Sequence, residues 1–79
     1  FLNHQYSIQL KLKTYAAGKY LSILYIIIEA VENGNTHDLQ IIIEKIAEHD
    51  PAIANVMKGL ADNYEYEAML KLLDETLEQ

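Results

Sequence analysis

The segment from Tyr20 to Ile28 contains a single polar residue, Ser22, and is bounded by Lys19 and Glu29. In a helix its apolar side chains would point in every direction, so no face would be suited to water. The segment is far shorter than the roughly 20 residues needed to cross a bilayer, and we expect no membrane insertion. The chain must therefore bury this segment in its own core or against a partner.

The rest of the chain predicts helices that supply such a core. Gly34 has the position of a helix C-cap, Thr36 that of an N-cap, and Asp50-Pro51 that of a cap followed by the first helical residue. Apolar residues recur at helical spacing, connections are short, and no internal repeat is evident. We therefore predict an all-α fold, a small bundle of four or five helices forming a single domain over 1–79. The predicted main helices span 15–33, 36–48, 51–61 and 64–77.

The segment from Tyr6 to Lys13 allows two interpretations. Apolar residues alternate with polar ones at positions 6, 8, 10 and 12, which is typical of a half-buried strand. A lone strand would have to pair with another copy. The alternative is a helix whose buried stripe is formed by Ile8, Leu12, Tyr15 and Ala16. We favour the helix because the downstream chain is helical.

Composition and charge exclude several classes of function. The chain has 79 residues, six lysines, no arginine, no cysteine and a formal net charge of −6. Residues 1–28 carry three lysines and no acid (+3), whereas residues 29–79 carry three lysines and all twelve acids (−9). The sign of the charge argues against nucleic acid as a partner. The absence of cysteine excludes disulfides and thiolate sites, and it is consistent with a cytoplasmic location. One end of the chain could attract the other end, or another copy.

Residues that could carry catalysis do not form a known arrangement. His4, His37 and His49 have no glutamate three residues before them and no H-E-x-x-H pattern around them. The chain also lacks a glycine-rich phosphate loop. We therefore expect no enzyme activity, no catalytic residue, no metal ligand and no cofactor.

One sequence pattern resembles a histidine phosphotransfer domain, which is also a small helical bundle. The signature of that family places His ahead of x-x-Lys-Gly on a helix. This chain has Lys58-Gly59, but Asn55 stands at the histidine position, and an amide cannot accept a phosphoryl group as imidazole does. A degenerate phosphotransfer-like domain therefore stays as an alternative.

The region 33–73 carries a more extensive pattern. It combines a small polar turn, an L-x-x-x-I helix, a D-P-x-x-A helix start and a closing helix of the form L-A-x-x-F/Y-x-Y/F-x-x-x-x-L-L. The residues concerned are Asn33-Gly34-Asn35-Thr36-His37-Asp38-Leu39, Ile42-Ile43-Glu44-Lys45-Ile46, His49-Asp50-Pro51-Ala52-Ile53-Ala54, and Leu60-Ala61-Asp62-Asn63-Tyr64-Glu65-Tyr66-Glu67 with Leu70 and Leu72-Leu73. This pattern resembles the C-terminal helical domain of bacterial multi-sensor hybrid histidine kinases.

The resemblance implies a non-catalytic module of a cytoplasmic two-component signalling protein, acting in dimerisation or in docking to receiver or kinase domains. It supplies no active-site residue. The apolar segment, together with Ile41, which lies off the buried stripe of its own helix, supplies the candidate interface. We expect this interface to pair with a second copy: Tyr20, Ile23, Leu24, Ile26, Ile27, Ile28 and Ile41. A small acidic inhibitor or immunity-type protein is a further alternative that the negative charge allows.

Overall fold

The computed structural model describes residues 2–18 and 20–77, with side-chain surroundings from Ile8 onward. These residues form five α-helices and no strand, which confirms the all-α prediction. The helices are α1 (Leu2–Ala17), α2 (Leu21–Glu32), α3 (Thr36–His49), α4 (Pro51–Asp62) and α5 (Tyr66–Leu77).

The first helix settles the choice left open for residues 6–13. Ile8, Leu12 and Tyr15 are buried and Ala16 is partly buried, as the helical interpretation predicts, whereas Leu10 is 48% exposed. A strand would have placed Leu10 on the same face as Ile8 and Leu12. The strand alternative is therefore wrong, because the i, i+4, i+7 stripe packs α1 against α2, α4 and α5.

A single helix over 15–33 is also wrong, since α1 ends at Ala17 and α2 begins at Leu21. The Gly18 amide donates to the Tyr15 carbonyl at 3.4 Å, and the Ile23 amide donates to the Tyr20 carbonyl at 3.0 Å. Glycine is a weak helix former, so the break falls where helical continuation is least favourable. The break lets α2 fold back, so that the buried sides of α1 and α2 share one core.

The turns after α2 and after α4 have the same backbone geometry. Gly34 lies just past α2 with φ of 67°, as the C-cap prediction requires, and Tyr64 lies just past α4 with φ of 57°. In both turns the carbonyls of the second-last and third-last helical residues accept hydrogen bonds from amides that lie beyond the helix, with N–O distances of 2.8 to 3.1 Å. This is the Schellman arrangement. Because Tyr64 has a left-handed conformation, α5 begins at Tyr66 and not at residue 64.

Helix starts follow the capping residues. Asp50 caps α4 as predicted, since its carboxylate accepts the Ile53 amide at 3.2 Å and Pro51 occupies the first turn. For α3 the cap is Asn35 and not Thr36, because the Asn35 side chain accepts the Asp38 amide at 3.4 Å. Thr36 is already the first helical residue.

The hairpins α2–α3 and α4–α5 are structural repeats, offset by 30 residues, that the sequence did not reveal. Helix α2 and helix α4 begin and end at positions that differ by 30, and so do the starts of α3 and α5. Buried residues follow the same offset: Leu24, Ile27, Leu39, Ile43 and Ile46 correspond to Ala54, Met57, Met69, Leu73 and Thr76. None of these pairs is identical, which is why the repeat is not evident in the sequence.

The core lies between all five helices. Helix α5 closes the bundle by packing against α1, α2 and α4, while α3 packs against α2 and α4. The largest fully buried side chains come from every helix: Leu12, Leu24, Ile27, Ile46, Ile53, Met57, Met69 and Leu73. This arrangement leaves one side of α2 and part of α3 without a neighbouring helix.

Candidate interaction surface

The structure divides the seven candidate interface residues into three groups. Leu24 and Ile27 are fully buried in the core, whereas Ile26 is 48% and Ile41 40% exposed. Tyr20, Ile23 and Ile28 are partly buried and pack against the edge of that core. In the folded chain only the outward residues remain accessible to a partner.

The accessible residues lie on the solvent side of α2 and α3, and we name this set the apolar patch and define it as Leu21, Tyr25, Ile26 and Ile41. The patch is not continuous, because the exposed Ser22 and Glu29 lie between Tyr25 and Ile26 around α2. Leu21 is 37% and Tyr25 55% exposed. These two residues lie one turn apart on α2, away from its buried Leu24 and Ile27 stripe. Sequence reasoning had not included Leu21 and Tyr25, because the apolar segment has no polar side that would show which of its residues face outward.

Polar groups border the apolar patch. Ile26 and Ile41 line a shared depression between α2 and α3, together with Glu29 and Asp38. Tyr25 lines a second shallow depression with Asp74 of α5. Exposed apolar and polar side chains therefore alternate on this surface, and aromatic residues such as Tyr25 are enriched in protein interfaces.

A ring cluster fixes the corner between α1 and α2. The Tyr15 and Tyr20 rings stack with centroids 4.8 Å apart. The His49 ring centroid also lies 4.8 Å from that of Tyr20, and the planes of these two rings make an angle of 35°. The Tyr15 hydroxyl is buried, and no group in the described part of the chain hydrogen-bonds to it. Burial, followed by the nearby Tyr20 and Asp50, raises the pKa of Tyr15 above its ordinary value of 10.0. The phenol therefore stays protonated at neutral pH.

The histidines, which were the candidates for catalysis or metal binding, do not lie together in the described part of the chain. His37 and His49 are exposed at opposite ends of α3. The side chain of His4 lies outside the described part of the chain. Within residues 2–18 and 20–77, no three His, Asp or Glu side chains are grouped to hold a metal ion.

The residue at the phosphotransfer position is the exposed Asn55 in the middle of α4. Lys58, which follows in that signature, pairs with Asp62 at 2.9 Å. Both side chains of this pair are more than half exposed, so the Lys58 ammonium lies in solvent beside a carboxylate one turn along its own helix.

The helices were also compared with the length and apolarity needed for a membrane span. No single helix in the described residues is long and apolar enough. Residues Ile8–Ala17 and Leu21–Glu32 meet the criterion only as a pair, with a bend of 113° between them.

The arrangement of α2 to α5 coincides with a known domain family. The sequence model for the C-terminal domain of hybrid histidine kinase-response regulators matches residues 23–74, about two thirds of the chain. The chain belongs to this family. The match confirms the resemblance drawn from residues 33–73 and extends it to residues 23–28 of the apolar segment, which that pattern had left out.

Membership of this family makes the chain a domain of two-component signalling proteins. The match begins inside α2, so the apolar patch residues Tyr25, Ile26 and Ile41 lie within the family region while α1 precedes it. Comparisons with curated proteins and with solved structures gave no significant match.

Proposed function

We propose that this hybrid-kinase domain is a non-catalytic interaction module that holds two copies together in the cytoplasm through the apolar patch. The carrying observation is the exposure of the large apolar side chains Tyr25, Ile26 and Ile41 on the solvent side of α2 and α3. Large apolar side chains that are clustered in this way mark contact surfaces, whereas single exposed ones are ordinary.

The position of the patch supports a symmetric pair. Helix α2 is the most apolar helix of the bundle and lacks a covering helix on this side, so two copies can pack α2 against α2. In such a two-fold contact the same surface is used by both copies, so the Ile26 of each copy would lie near the Ile26 or Ile41 of the other.

The apolar patch also suits a receiver or kinase domain as an alternative occupant. The acids Glu29, Asp38 and Asp74 at its rim would then face basic groups of that domain. In a symmetric pair these same acids approach their own copies, so they belong at a solvated rim, where screening keeps the repulsion small.

Light scattering on the purified chain tests the proposal. At about 0.5 M salt, where contacts between exposed charges are screened, we expect the mass of a dimer at high micromolar concentration and the mass of a monomer after Ile41→Asp, because a charge within the patch would be desolvated in the contact. The matched control is Ala47→Asp, which adds the same charge to an exposed position of the same helix outside the patch. A monomeric wild-type chain, or equal dissociation by both variants, would refute the dimer.

A further inference from the structure

The two equivalent turns differ at one position that packing does not explain. Gly34 and Tyr64 both adopt the left-handed conformation, and their flanking hydrogen bonds match within about 0.1 Å. This conformation costs a residue with a side chain about 1–2 kcal/mol and costs glycine almost nothing. The Tyr64 side chain is 81% exposed and contacts Tyr66 through an edge, with ring centroids 6.4 Å apart. Tyr64 therefore keeps an unfavourable conformation without a compensating place in the core.

Tyr64 and Tyr66 border a groove between α3, the end of α4 and the start of α5, which we name the Tyr64 groove. Leu39 and Ile43 contribute its apolar side, and Glu44 lies on its α3 side. Its remaining charges, Lys58 and Asp62, neutralise one another through their 2.9 Å pair. Glu44 makes no ion pair with the part of the chain that the structure describes, so the groove keeps one negative charge beside apolar and aromatic surface.

Such a groove suits an apolar side chain next to a lysine or arginine. The apolar part can lie against Tyr64 and Tyr66, and the cation can approach both the ring faces and the Glu44 carboxylate. A carboxylate or phosphate would instead meet the unpaired charge of Glu44.

Helix α1 carries a surface with the matching chemistry. Leu10 is 48% exposed, and Lys13 lies exposed three residues later on the same face of the helix, next to the exposed Lys11. Neither lysine makes an ion pair within residues 2–18 and 20–77. Residues 1–28 contain no acid at all, whereas residues 29–79 carry a net charge of −9.

We infer that the Tyr64 groove binds helix α1 of a second copy of this chain, with Leu10 against the tyrosine rings and Lys13 beside Glu44. This contact joins different surfaces of the two copies and uses none of the apolar patch residues. This contact can therefore be tested separately from the dimer proposed above. Because its charges are exposed to solvent, it should weaken as salt is added, whereas an apolar contact should not.

Sedimentation velocity on the full chain tests the inference with charge reversals at exposed positions. At about 20 mM salt, where screening is weak, we expect Lys13→Glu and Glu44→Lys each to weaken self-association about fivefold. The double variant K13E/E44K should recover the wild-type value, because it restores the pair with its charges exchanged. Lys71→Glu, at an exposed position of α5, is the control for net charge.

Glu44→Lys separates the inference from a general charge effect. This substitution lowers the net negative charge from −6 to −4, so general repulsion between copies would decrease and association would tighten. The inference requires the opposite change. Tyr64→Gly should weaken association about tenfold at low salt while leaving the helical circular dichroism signal unchanged.

Three results would overturn the inference: tighter association of Glu44→Lys, no recovery in K13E/E44K, or a wild-type chain that stays monomeric at about 1 mM in low salt. Failure of the apolar-patch dimer is recognised separately. It would appear as an unchanged mass for Ile41→Asp at about 0.5 M salt, where the α1 contact is screened.

Discussion

Two neighbouring isoleucines allow the packing to be tested with one substitution at two positions. Ile27 is fully buried in the core, while Ile26, the preceding residue of α2, is 48% exposed in the apolar patch. Replacing a buried isoleucine by alanine costs about 2–5 kcal/mol, because it removes apolar contacts and leaves a cavity. At Ile26 about half of the side chain already contacts water, and alanine is the better helix former, so the cost should be about 1 kcal/mol or less.

The loss expected for Ile27→Ala is a large fraction of the total stability of a chain this small. At about 0.05–0.15 kcal/mol per residue, a domain of 79 residues has an unfolding free energy of about 4–12 kcal/mol. Ile27→Ala should therefore lower Tm by roughly 10–30 °C, whereas Ile26→Ala should lower it by less than about 8 °C.

Urea unfolding followed by far-UV circular dichroism gives the free energies, provided that the protein concentration is low enough for the chain to be monomeric. At high concentration the loss at Ile26 should grow, since dimer formation adds to the apparent stability. Equal losses at the two positions in dilute solution, or a larger loss at Ile26, would refute the assignment of Ile27 to the core and of Ile26 to the surface.

Three further predictions concern single interactions. Tyr15→Phe should raise the unfolding free energy by about 1 kcal/mol, because it removes a buried hydroxyl to which no described residue hydrogen-bonds; a lower Tm would contradict this account. The raised pKa of Tyr15 means that the folded chain holds this proton more tightly than the unfolded chain, so stability is intact below about pH 10 and falls as the pH rises further. In a series of melts at alkaline pH this fall should be shallower for Tyr15→Phe, and identical slopes would show that Tyr15 does not cause it. Asp50→Ala should lower the unfolding free energy by about 1 kcal/mol by removing the cap of α4, and Asp50→Asn, which can still cap, should retain most of it.

The sequence predicted those elements of the fold that depend on local interactions. The starting position of α4 follows from Asp50-Pro51, and the end of α2 follows from Gly34, because each residue acts within one turn of its own position. The helical stripe of Ile8, Leu12 and Tyr15 was likewise visible as a spacing. The family could be recognised for the same reason, since its pattern consists of caps and core positions.

The features that depend on several helices were not predictable in the same way. Whether Gly18 breaks a helix depends on how far α2 must turn back to reach α5. The helix propensity of glycine carries no information about that distance. Tyr64 gives no sequence signal for a left-handed conformation, which is rare for an aromatic residue.

The candidate interface was predicted as a segment and not as a face. The apolar run around Leu24 has no polar side from which its orientation could be deduced, so its buried and exposed residues could not be told apart. Only the packing of α2 against α1, α3 and α5 assigns Leu24 and Ile27 to the core and leaves Ile26 outside.

The central claim, that two copies meet through the apolar patch, is tested most directly by isotope-filtered NOE spectroscopy on an equimolar mixture of carbon-13-labelled and unlabelled chain. The account predicts cross-peaks between the methyl groups of Ile26 and Ile41 in labelled copies and protons of unlabelled ones. A sample that is dimeric by mass yet shows no intermolecular cross-peak to either isoleucine would contradict it.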